Sequence, residues 1–459
     1  MEVQSVAVFT CGHIIDSLQS YRLLSPLTLA NMIINRGLLD GEFSIDPVTE
    51  SDITVVQRDF PVNLSNYRAL MAQAAKLHKP VVMDLDDDLL ALPLNHPDRA
   101  KLIYAKAQIP ILTAMVQASA LTVTTSYLAE QLRKYNSNIF VLPNYLDDAL
   151  WEFNEPQVSP FSGKIRIFFM GTATHAPDLE MLEPVFRALA KKYPNRLELV
   201  FYGANLKIEE HIAAVITNYP SETFVYKDYV KIALAQKANI AIAPLDDIPF
   251  NHSKSSIKFF EYSATGLPGV YSRVTPYTSV IEEGVNGFTA STVDEWIEAL
   301  SQLIESPQLR ESMALAAQET VRRDWLLSNH AYLWRETYAH IAQLKTGNAS
   351  NLVAYLPTLE DINIHQNAYF EEKIRQLEKS NNQVESLLVQ QSAQTAQIQN
   401  LEIQVENLSN QRQNQAKLIQ DLESENRQVR EEVVSYALSR SWRVTRPMRK
   451  IAKAIRRRK

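Results

Sequence analysis

The chain has 459 residues, of which 46% are hydrophobic and 21% charged, and its net charge is −6. That is an ordinary soluble composition with material for two or three domains, and a single cysteine, Cys11, excludes an internal disulfide framework and fits a reducing compartment. No apolar run approaches the roughly 18–20 residues that cross a bilayer. The opening MEVQSVAVFTCGHII, with an acid at position 2 and no basic stretch, is not patterned as a signal peptide, so a cytoplasmic location is expected.

From the start to about residue 345, short apolar runs alternate with longer stretches of helical periodicity. SVAVFT (5–10), ITVVQR (53–58), VVMDLD (81–86), LTVTTS (121–126) and IFVLPN (139–144) read as buried strands, with helices such as LSNYRALMAQAAKLHK (64–79) between them. A second series follows in IRIFFMG (165–171), LELVFYG (197–203), NIAIAPL (239–245) and PGVYS (268–272). This alternation predicts an α/β protein with parallel sheets covered on both faces. Polar NEPQVSPFSG (154–163) separates the two series as an interdomain linker. The expected organisation is two tandem Rossmann-like domains, 1–153 and 163–345, each binding ligands at the carboxyl ends of its strands.

After a linker at 346–369, glycine and proline vanish and Gln, Asn, Glu and Ser dominate. With Phe370 at position a of a seven-residue repeat, 13 of the 20 a and d positions to Tyr436 are apolar, in one register throughout. That predicts a coiled coil over 370–436, roughly 100 Å long at 1.5 Å per residue. Polar Gln391, Arg412, Gln415 and Asn426 within the seam weaken it while fixing register and oligomer state. The last segment, 437–459, ends in RSWRVTRPMRKIAKAIRRRK, which holds ten Lys/Arg and no acid. The tail is therefore +10 and the rest of the chain −16, which points to an anionic partner for the tail alone. Val444, Met448, Ile451 and Ile455 share one helical stripe, and Trp442 suits a headgroup boundary. An anionic membrane surface, met through 439–459, is favoured over nucleic acid, on whose phosphates the apolar stripe would be wasted.

Residues 250–272, FNHSKSSIKFFEYSATGLPGVYS, carry an electrostatic puzzle. The first turn of a helix prefers acids, because the N-terminal end of the macrodipole is positive. Here Lys254 and Lys258 stack positive charge there, with no acid before Glu261. An anion of charge near −2 at that end would make the arrangement favourable, and Glu261, one turn below, is placed to accept hydrogen bonds from sugar hydroxyls. An amphipathic core helix with snorkelling lysines accounts for the same pattern.

The wider pattern resembles the donor-binding segment of retaining glycosyltransferases of the GT-B fold, family 4 in particular. Glu261 to Pro268 is similar to the family's Glu-Ala-hydrophobic-Ala-x-Gly-x-Pro helix, and Gly284 to Gly287 to its Gly-x-Asn-Gly turn. Pro143 to Asp147 resembles the Pro-Asn-x-hydrophobic-Asp element that ends the first domain. KPVVMDLDDDLL (79–90) is similar to an Asp-rich strand end found in a subset of these enzymes. The resemblance implies that Glu261 holds the ribose, that Lys254, Ser255, Ser256 and Lys258 surround the diphosphate, and that Ser253 stands where the family often has a sugar-contacting Glu. Gly171, Thr172 and His175, in GTATHAPD (171–178), replace the family's usual Arg/Lys pair. His175, Lys254 and Glu261 are the expected catalytic residues, and Tyr21, Arg22 and Asp86 the expected acceptor-side ones. The tail resembles those of bacterial surface-glycan glycosyltransferases.

The expected function is a retaining, metal-independent hexosyltransferase that uses a nucleotide-diphosphate sugar, without a cofactor, on a cell-surface glycan or lipid-linked acceptor. It is expected to homo-oligomerise through the coiled coil, to sit peripherally on the inner face of the membrane, and to bind no nucleic acid. The Asp84, Asp86, Asp87 and Asp88 cluster also admits a metal reading, but family resemblance implies none. A non-catalytic nucleotide-sugar-binding scaffold and a nucleotide-sugar epimerase are the alternatives.

Overall fold

The computed structural model describes residues 3–10, 17–39, 41–101, 104–161, 163–204, 206, 214–219, 225–344, 348–439 and 443–457. Cys11, Trp442, Arg440, Arg458 and Lys459 lie outside the described residues. The chain divides into two compact units, Met1–Phe370 and Glu371–Lys459.

The first unit contains two six-stranded sheets, parallel throughout. In chain order the strands of the first half are β1 (Ser5–Phe9), β2 (Ile33–Arg36), β3 (Leu38–Leu39), β4 (Glu42–Phe43), β5 (Ile53–Gln57), β6 (Val81–Leu85), β7 (Ala120–Val123) and β8 (Ile139–Val141). The small β3–β4 hairpin stands apart, and the sheet order is β2-β1-β5-β6-β7-β8. The second half adds β9 (Ile165–Met170), β10 (Leu197–Tyr202), β11 (Val215–Tyr219), β12 (Ile240–Ala243), β13 (Gly269–Ser272) and β14 (Phe288–Ala290), in the order β11-β10-β9-β12-β13-β14. Both are doubly wound sheets, as the alternating pattern implied. β1, β5 and β6 are buried at every residue, because a parallel sheet covered on both faces needs continuous apolar runs. The chain reverses its strand order between β1 and β5 and again between β9 and β12, and a crevice opens at the carboxyl ends beside such switch points.

Three expected boundaries shift. The 154–163 stretch is fastened to the second domain rather than left as a free linker: Asn154 N–H donates to the Ala264 carbonyl at 2.8 Å, and Asn239 Nδ2 donates to the Gln157 and Ser159 carbonyls. The second domain also ends earlier than 345. At Leu146 and Leu326 the departing and returning chains run side by side, and the helices Leu327–His330 and Tyr332–Ile341 then pack on the first domain. Trp334, Tyr338 and Ile341 join Val6, Val8 and Val55 in one core. The 346–369 segment does not behave as a linker either. Asn348 Nδ2 donates to the Val116 and Tyr135 carbonyls, and an 83-residue helix, Leu356–Leu438, begins fourteen residues before the expected coiled coil.

Arg22, expected to face the acceptor, is instead fully buried. It sits in a π-helical turn, Ser20–Leu24. Its guanidinium grips both carboxylate oxygens of Asp84 on β6 (Nη2–Oδ1 2.6 Å, Nε–Oδ2 3.2 Å) and donates to the Leu142 carbonyl and Asn144 Oδ1. Thr122 on β7 donates to the same Asp84 at 2.8 Å, and the Trp334 indole donates to the Arg22 carbonyl. A guanidinium fits this site because its donors diverge in a plane and satisfy several acceptors at once. Removing one partner strands a buried charge, at a cost of about 3–5 kcal/mol, whereas an apolar pair of similar volume is close to neutral. Arg22→Met should therefore lower stability by about that amount, and Arg22→Met/Asp84→Leu should recover most of it; urea denaturation of the three proteins measures both.

The second unit is the helix from Glu371 to Leu438 and a separate helix, Arg446–Arg456. The heptad residues lie exposed along the first (Ile398 55%, Leu408 64%), and Val444, Met448, Ile451 and Ile455 are exposed in the tail. No helix among the described residues is long and apolar enough to cross a membrane.

Candidate functional site

A cavity of about 420 Å³ opens where the carboxyl ends of the two sheets face each other. The second domain supplies Gly171 and Thr172 directly after β9, and Gly203 after β10. Gly203 has φ +87°, and a Cβ there would come within 2.0 Å of the Gly171 carbonyl, so only glycine lets these two loops close against each other.

The 250–272 stretch forms the cavity's most charged wall. Its helix is Ile257–Ala264, so Lys254 lies in the turn before the helix and Lys258 in its first turn. Ser256 is the N-cap residue, but its side chain makes no capping bond; its hydroxyl donates to the Pro276 carbonyl at 2.6 Å. The first N–H groups of the helix are thus left without a side-chain acceptor, next to two ammonium groups. The helix ends in a Schellman turn: Leu267 N–H donates to the Tyr262 carbonyl and Gly266 N–H to that of Ser263, with Gly266 at φ +76°.

Glu261 is buried on this helix. Its Oε2 accepts from Lys258 Nζ at 3.1 Å and from the Tyr229 hydroxyl at 3.0 Å. Burial disfavours the Lys258 ammonium, yet Glu261 holds its pKa above the ordinary lysine value. Lys254 rests over the Phe250 ring, 4.6 Å from the centroid, and reaches across the cleft to Asp87 at 3.7 Å. Nearby, Thr125 Oγ1 donates to the Ser253 carbonyl and Asn144 Nδ2 to Ser255 Oγ at 2.8 Å. The turn that carries Lys254 is therefore also the seam between the domains.

His175 follows Gly171 and Thr172 and lines the same cavity. Asp178 anchors its Nδ1 at 2.9 Å, and Asp178 Oδ1 is held by Asp246 N–H and Asn251 Nδ2. Burial lowers the imidazole pKa against the pull of Asp178, and Lys254 and Lys258 push the same way. His175 is thus a neutral, oriented imidazole near neutral pH.

The first domain supplies the opposite wall. Arg58, just past β5, adopts φ +47°, a left-handed conformation that a non-glycine residue adopts under constraint. Its guanidinium bonds the Tyr104 hydroxyl at 2.9 Å and meets Asp86 Oδ2 at 3.4 Å. Arg58 Nε and Asp86 Oδ1 are buried without a partner, so this wall holds both a donor and an acceptor left unused. Tyr21 packs edge-on against Tyr226 at 6.0 Å, and His96, whose Nδ1 caps Asp98 N–H, packs edge-on against Phe250.

Nine of the expected site residues line the cavity: Tyr21, Asp86, Gly171, Thr172, His175, Lys254, Ser255, Lys258 and Glu261. Three do not. Arg22 is committed to Asp84, Ser253 is fully buried with its hydroxyl on the Phe250 carbonyl at 2.6 Å, and Ser256 is turned to Pro276. The four clustered aspartates serve separate partners: Asp84 binds Arg22, Asp86 meets Arg58, Asp87 faces Lys254, and Asp88 accepts from the Leu90 N–H. Arg58, His96, Tyr104 and Tyr229 line the cavity without having been singled out in the sequence, and Asp87, noted there only within the aspartate cluster, lines it too. Arg58 carried a usable signal, a charge closing an otherwise apolar strand at its ligand-binding end.

Burial, reinforced by Asp87 and Asp84 and opposed by Arg58, pushes the Asp86 carboxyl up to about 6. A carboxyl raised above its unfolded value stabilises the fold while protonated. That contribution is full below about pH 4 and is lost as pH rises through about 6. The stability difference between wild type and Asp86→Asn should therefore fall by on the order of 2–3 kcal/mol between pH 4 and pH 7 and stay level above it. Parallel denaturation curves at stepped pH give that difference.

Comparison with known proteins fits this geometry. Residues 180–335 match the family described as glycosyl transferase-like. A Xanthomonas campestris pv. campestris protein, UDP-glucuronate:glycolipid 2-beta-glucuronosyltransferase, is 26% identical over 210 residues, which make up 44% of this chain and 47% of that protein. The chain thus spans about half the length of this curated relative. The crystal structure of Anabaena Alr3699/HepE in complex with UDP and glucose superposes with a TM-score of 0.52 at 12% identity, covering 73% of this chain and all of that one. The same protein in complex with UDP-glucose superposes at 0.50, with 11% identity, over 73% of this chain and 99% of that one. The fold is GT-B, as the resemblance over residues 1–345 implied, and the family match lies in its second domain.

Proposed function

We propose that the protein is a glycosyltransferase that moves a sugar from a nucleotide diphosphate to a glycan or lipid-linked acceptor. The observation that carries this reading is the open N-terminal end of the Ile257–Ala264 helix, flanked by Lys254 and Lys258 and backed by Glu261, at a cleft between two doubly wound domains. A diphosphate is the ligand such an end suits: unpaired N–H groups, the dipole and two ammonium groups converge on it. Glu261 would take the ribose hydroxyls, exchanging its bond to Lys258 as that lysine turns to phosphate. The glycosyltransferase relative that acts on UDP-glucuronate and a glycolipid supports the donor and acceptor classes.

In the reaction the bond from the anomeric carbon to the diphosphate oxygen breaks, with the electron pair leaving on the phosphate. The acceptor hydroxyl forms the new bond and gives up its proton to the departing diphosphate oxygen. Charge grows on the leaving diphosphate, and Lys254, Lys258 and the helix end stabilise it without reorganising. Neutral His175, oriented by Asp178, would meet the transferred sugar. Arg58, Asp86 and Tyr21 would hold the acceptor. No metal is needed on this account, since the cations are side chains. Retention at the anomeric carbon follows the family 4 resemblance; NMR of the product reads it directly, and an inverted product would move the proton-accepting role to Asp86.

Transfer is tested by incubating the full chain with a panel of nucleotide sugars and lipid-linked acceptors, with and without EDTA. Expected are transfer that survives chelation and its loss in Glu261→Ala; donor turnover without transfer, or an epimerised donor, would overturn the assignment. Each charge-assisted bond is worth about 1.5–3 kcal/mol. Lys254→Ala should thus raise the donor Kd by roughly tenfold or more with little change in Tm. Lys258→Ala should raise Kd and also lower Tm, because it leaves Glu261 buried against Tyr229 alone. Calorimetric titration and thermal melts separate the two.

The second unit supports an oligomer held by the 370–436 seam and a tail lying on the anionic inner face of the cell membrane. About 1 kcal/mol per basic residue is available near such a surface. Vesicles containing phosphatidylglycerol should pellet the full chain, and Ile451→Asp/Ile455→Asp should cut that binding at least tenfold in a co-sedimentation assay; equal pelleting would remove the membrane from this reading.

A further inference from the structure

We propose that residues 371–436 pair with the same segment of a second copy of this chain, parallel and in register, so that two basic tails leave one end of the pair as a bivalent anchor. This deepens, and rests on, the reading of that segment as an oligomerisation helix.

The seam is apolar and wholly exposed on the single chain: Ile398, Leu401, Val405 and Leu408 each show more than half of their surface. Its composition selects the partner's orientation. Val384, Ile398, Val405, Ile419 and Val433 put β-branched residues at a, while Leu387, Leu401, Leu408 and Leu422 put leucine at d. That division favours two parallel strands, where the a and d holes differ in shape. Asn426 at a adds to it, since in a parallel pair a faces a and two Asn amides hydrogen-bond each other. On the flanks, a parallel pair sets Glu425 at g beside the partner copy's position e five residues on, which is an arginine, Arg430. The g positions from Gln376 to Gln411 are all glutamine, so no like charges oppose along that stretch.

An antiparallel pair with full overlap loses these matches. It places Asn426 against Ser380, separates Glu425 from Arg430, and sets Glu402 against its own copy at the two-fold axis. Its gains are to keep Arg412 from facing Arg412 and Lys373, at the first d position, from facing Lys373. An arginine at a can lay its stem along the seam and carry its charge to solvent, so the parallel arrangement prevails.

The consequence lies at the end of the helix. The tail that follows it carries ten basic residues, with Met448, Ile451 and Ile455 on one stripe of an exposed helix. Parallel pairing delivers two such tails to one surface, where the second binds at the effective concentration set by the first and strengthens attachment by roughly 10²–10⁴-fold. Antiparallel pairing would send them to opposite ends.

The test uses the full chain with Cys11→Ser and Leu408→Cys. In the parallel pair two d-position residues of the same number face each other within disulfide reach, so mild oxidation should give a covalent dimer, while Lys417→Cys on the outer face of the helix should not. Light scattering should give twice the chain mass. A monomer would overturn the oligomer reading and the proposal together. A dimer in which Leu408→Cys fails to cross-link to itself, but does cross-link to Ile398→Cys when the two variants are mixed, would overturn the parallel pairing alone. The bivalent anchor is read separately. Leu401→Asp/Leu422→Asp, expected to be monomeric, should bind vesicles of phosphatidylcholine and phosphatidylglycerol at least 100-fold more weakly than wild type; unchanged binding by a proven monomer would overturn bivalency.

Discussion

The buried pair of Arg22 and Asp84 organises the cleft without touching it. Asp84 lies on β6, two residues before Asp86 and three before Asp87, so the grip that holds Asp84 also sets where those two carboxylates emerge. Arg22 binds the segment after β8 and carries Trp334, from the helix that returns after the second domain, on its own carbonyl. One residue, through its guanidinium and its carbonyl, thereby joins the start of the first domain, its central strands and the end of the fold. A buried ion pair contributes less to stability than its geometry suggests, because desolvation cancels most of its attraction. What it supplies here is position.

Charge is held in balance across the cleft by partners that a ligand can replace. Lys254 faces Asp87 from the other domain, Lys258 is bonded to Glu261, and Arg58 leans on Asp86. In the absence of ligand each cation has an acid within reach, which is what allows so many charges in a half-buried space. An incoming diphosphate would compete for the two lysines and leave Asp87 and Glu261 free to take hydroxyl groups. The electrostatic conflict at the start of the 257–264 helix is thus offset by neighbouring acids. The seam between the domains runs through the same turn, so the proposed donor site and the contact between the domains share residues.

The second unit obeys other constraints. Its helix buries almost nothing on the single chain, and a helix of that length is stable in water chiefly when its apolar stripe is covered. The tail combines a dense positive face with four apolar residues, a pattern suited to an interface between water and lipid rather than to either alone.

Much of this was legible in the sequence because it depends on local pattern. Continuous apolar runs marked nine strands of the two sheets to within a few residues, since a strand buried on both faces has no polar alternation to hide it; only the edge strand Ile139–Val141, expected to be buried, is half-buried to exposed. The unbroken helix through 370–436 was equally plain, and the charge pattern of 254–261 pointed to a wall of the cavity, because charge on a short helix conflicts with its dipole whatever surrounds it. Side-chain direction and long-range contact were beyond that pattern. Arg22 looked like a cleft residue by its place after the first strand, yet Asp84, sixty-two residues on, draws it into the core. Ser253 and Ser256 sit among cavity residues in sequence, but their hydroxyls turn to nearby carbonyls. The return of residues 327–341 to the first domain is a matter of which apolar face covers which, and the left-handed turn that aims Arg58 at Tyr104 leaves no mark in composition. Local propensity and periodicity belong to the chain; the partner each buried polar group finds is decided only when distant segments meet.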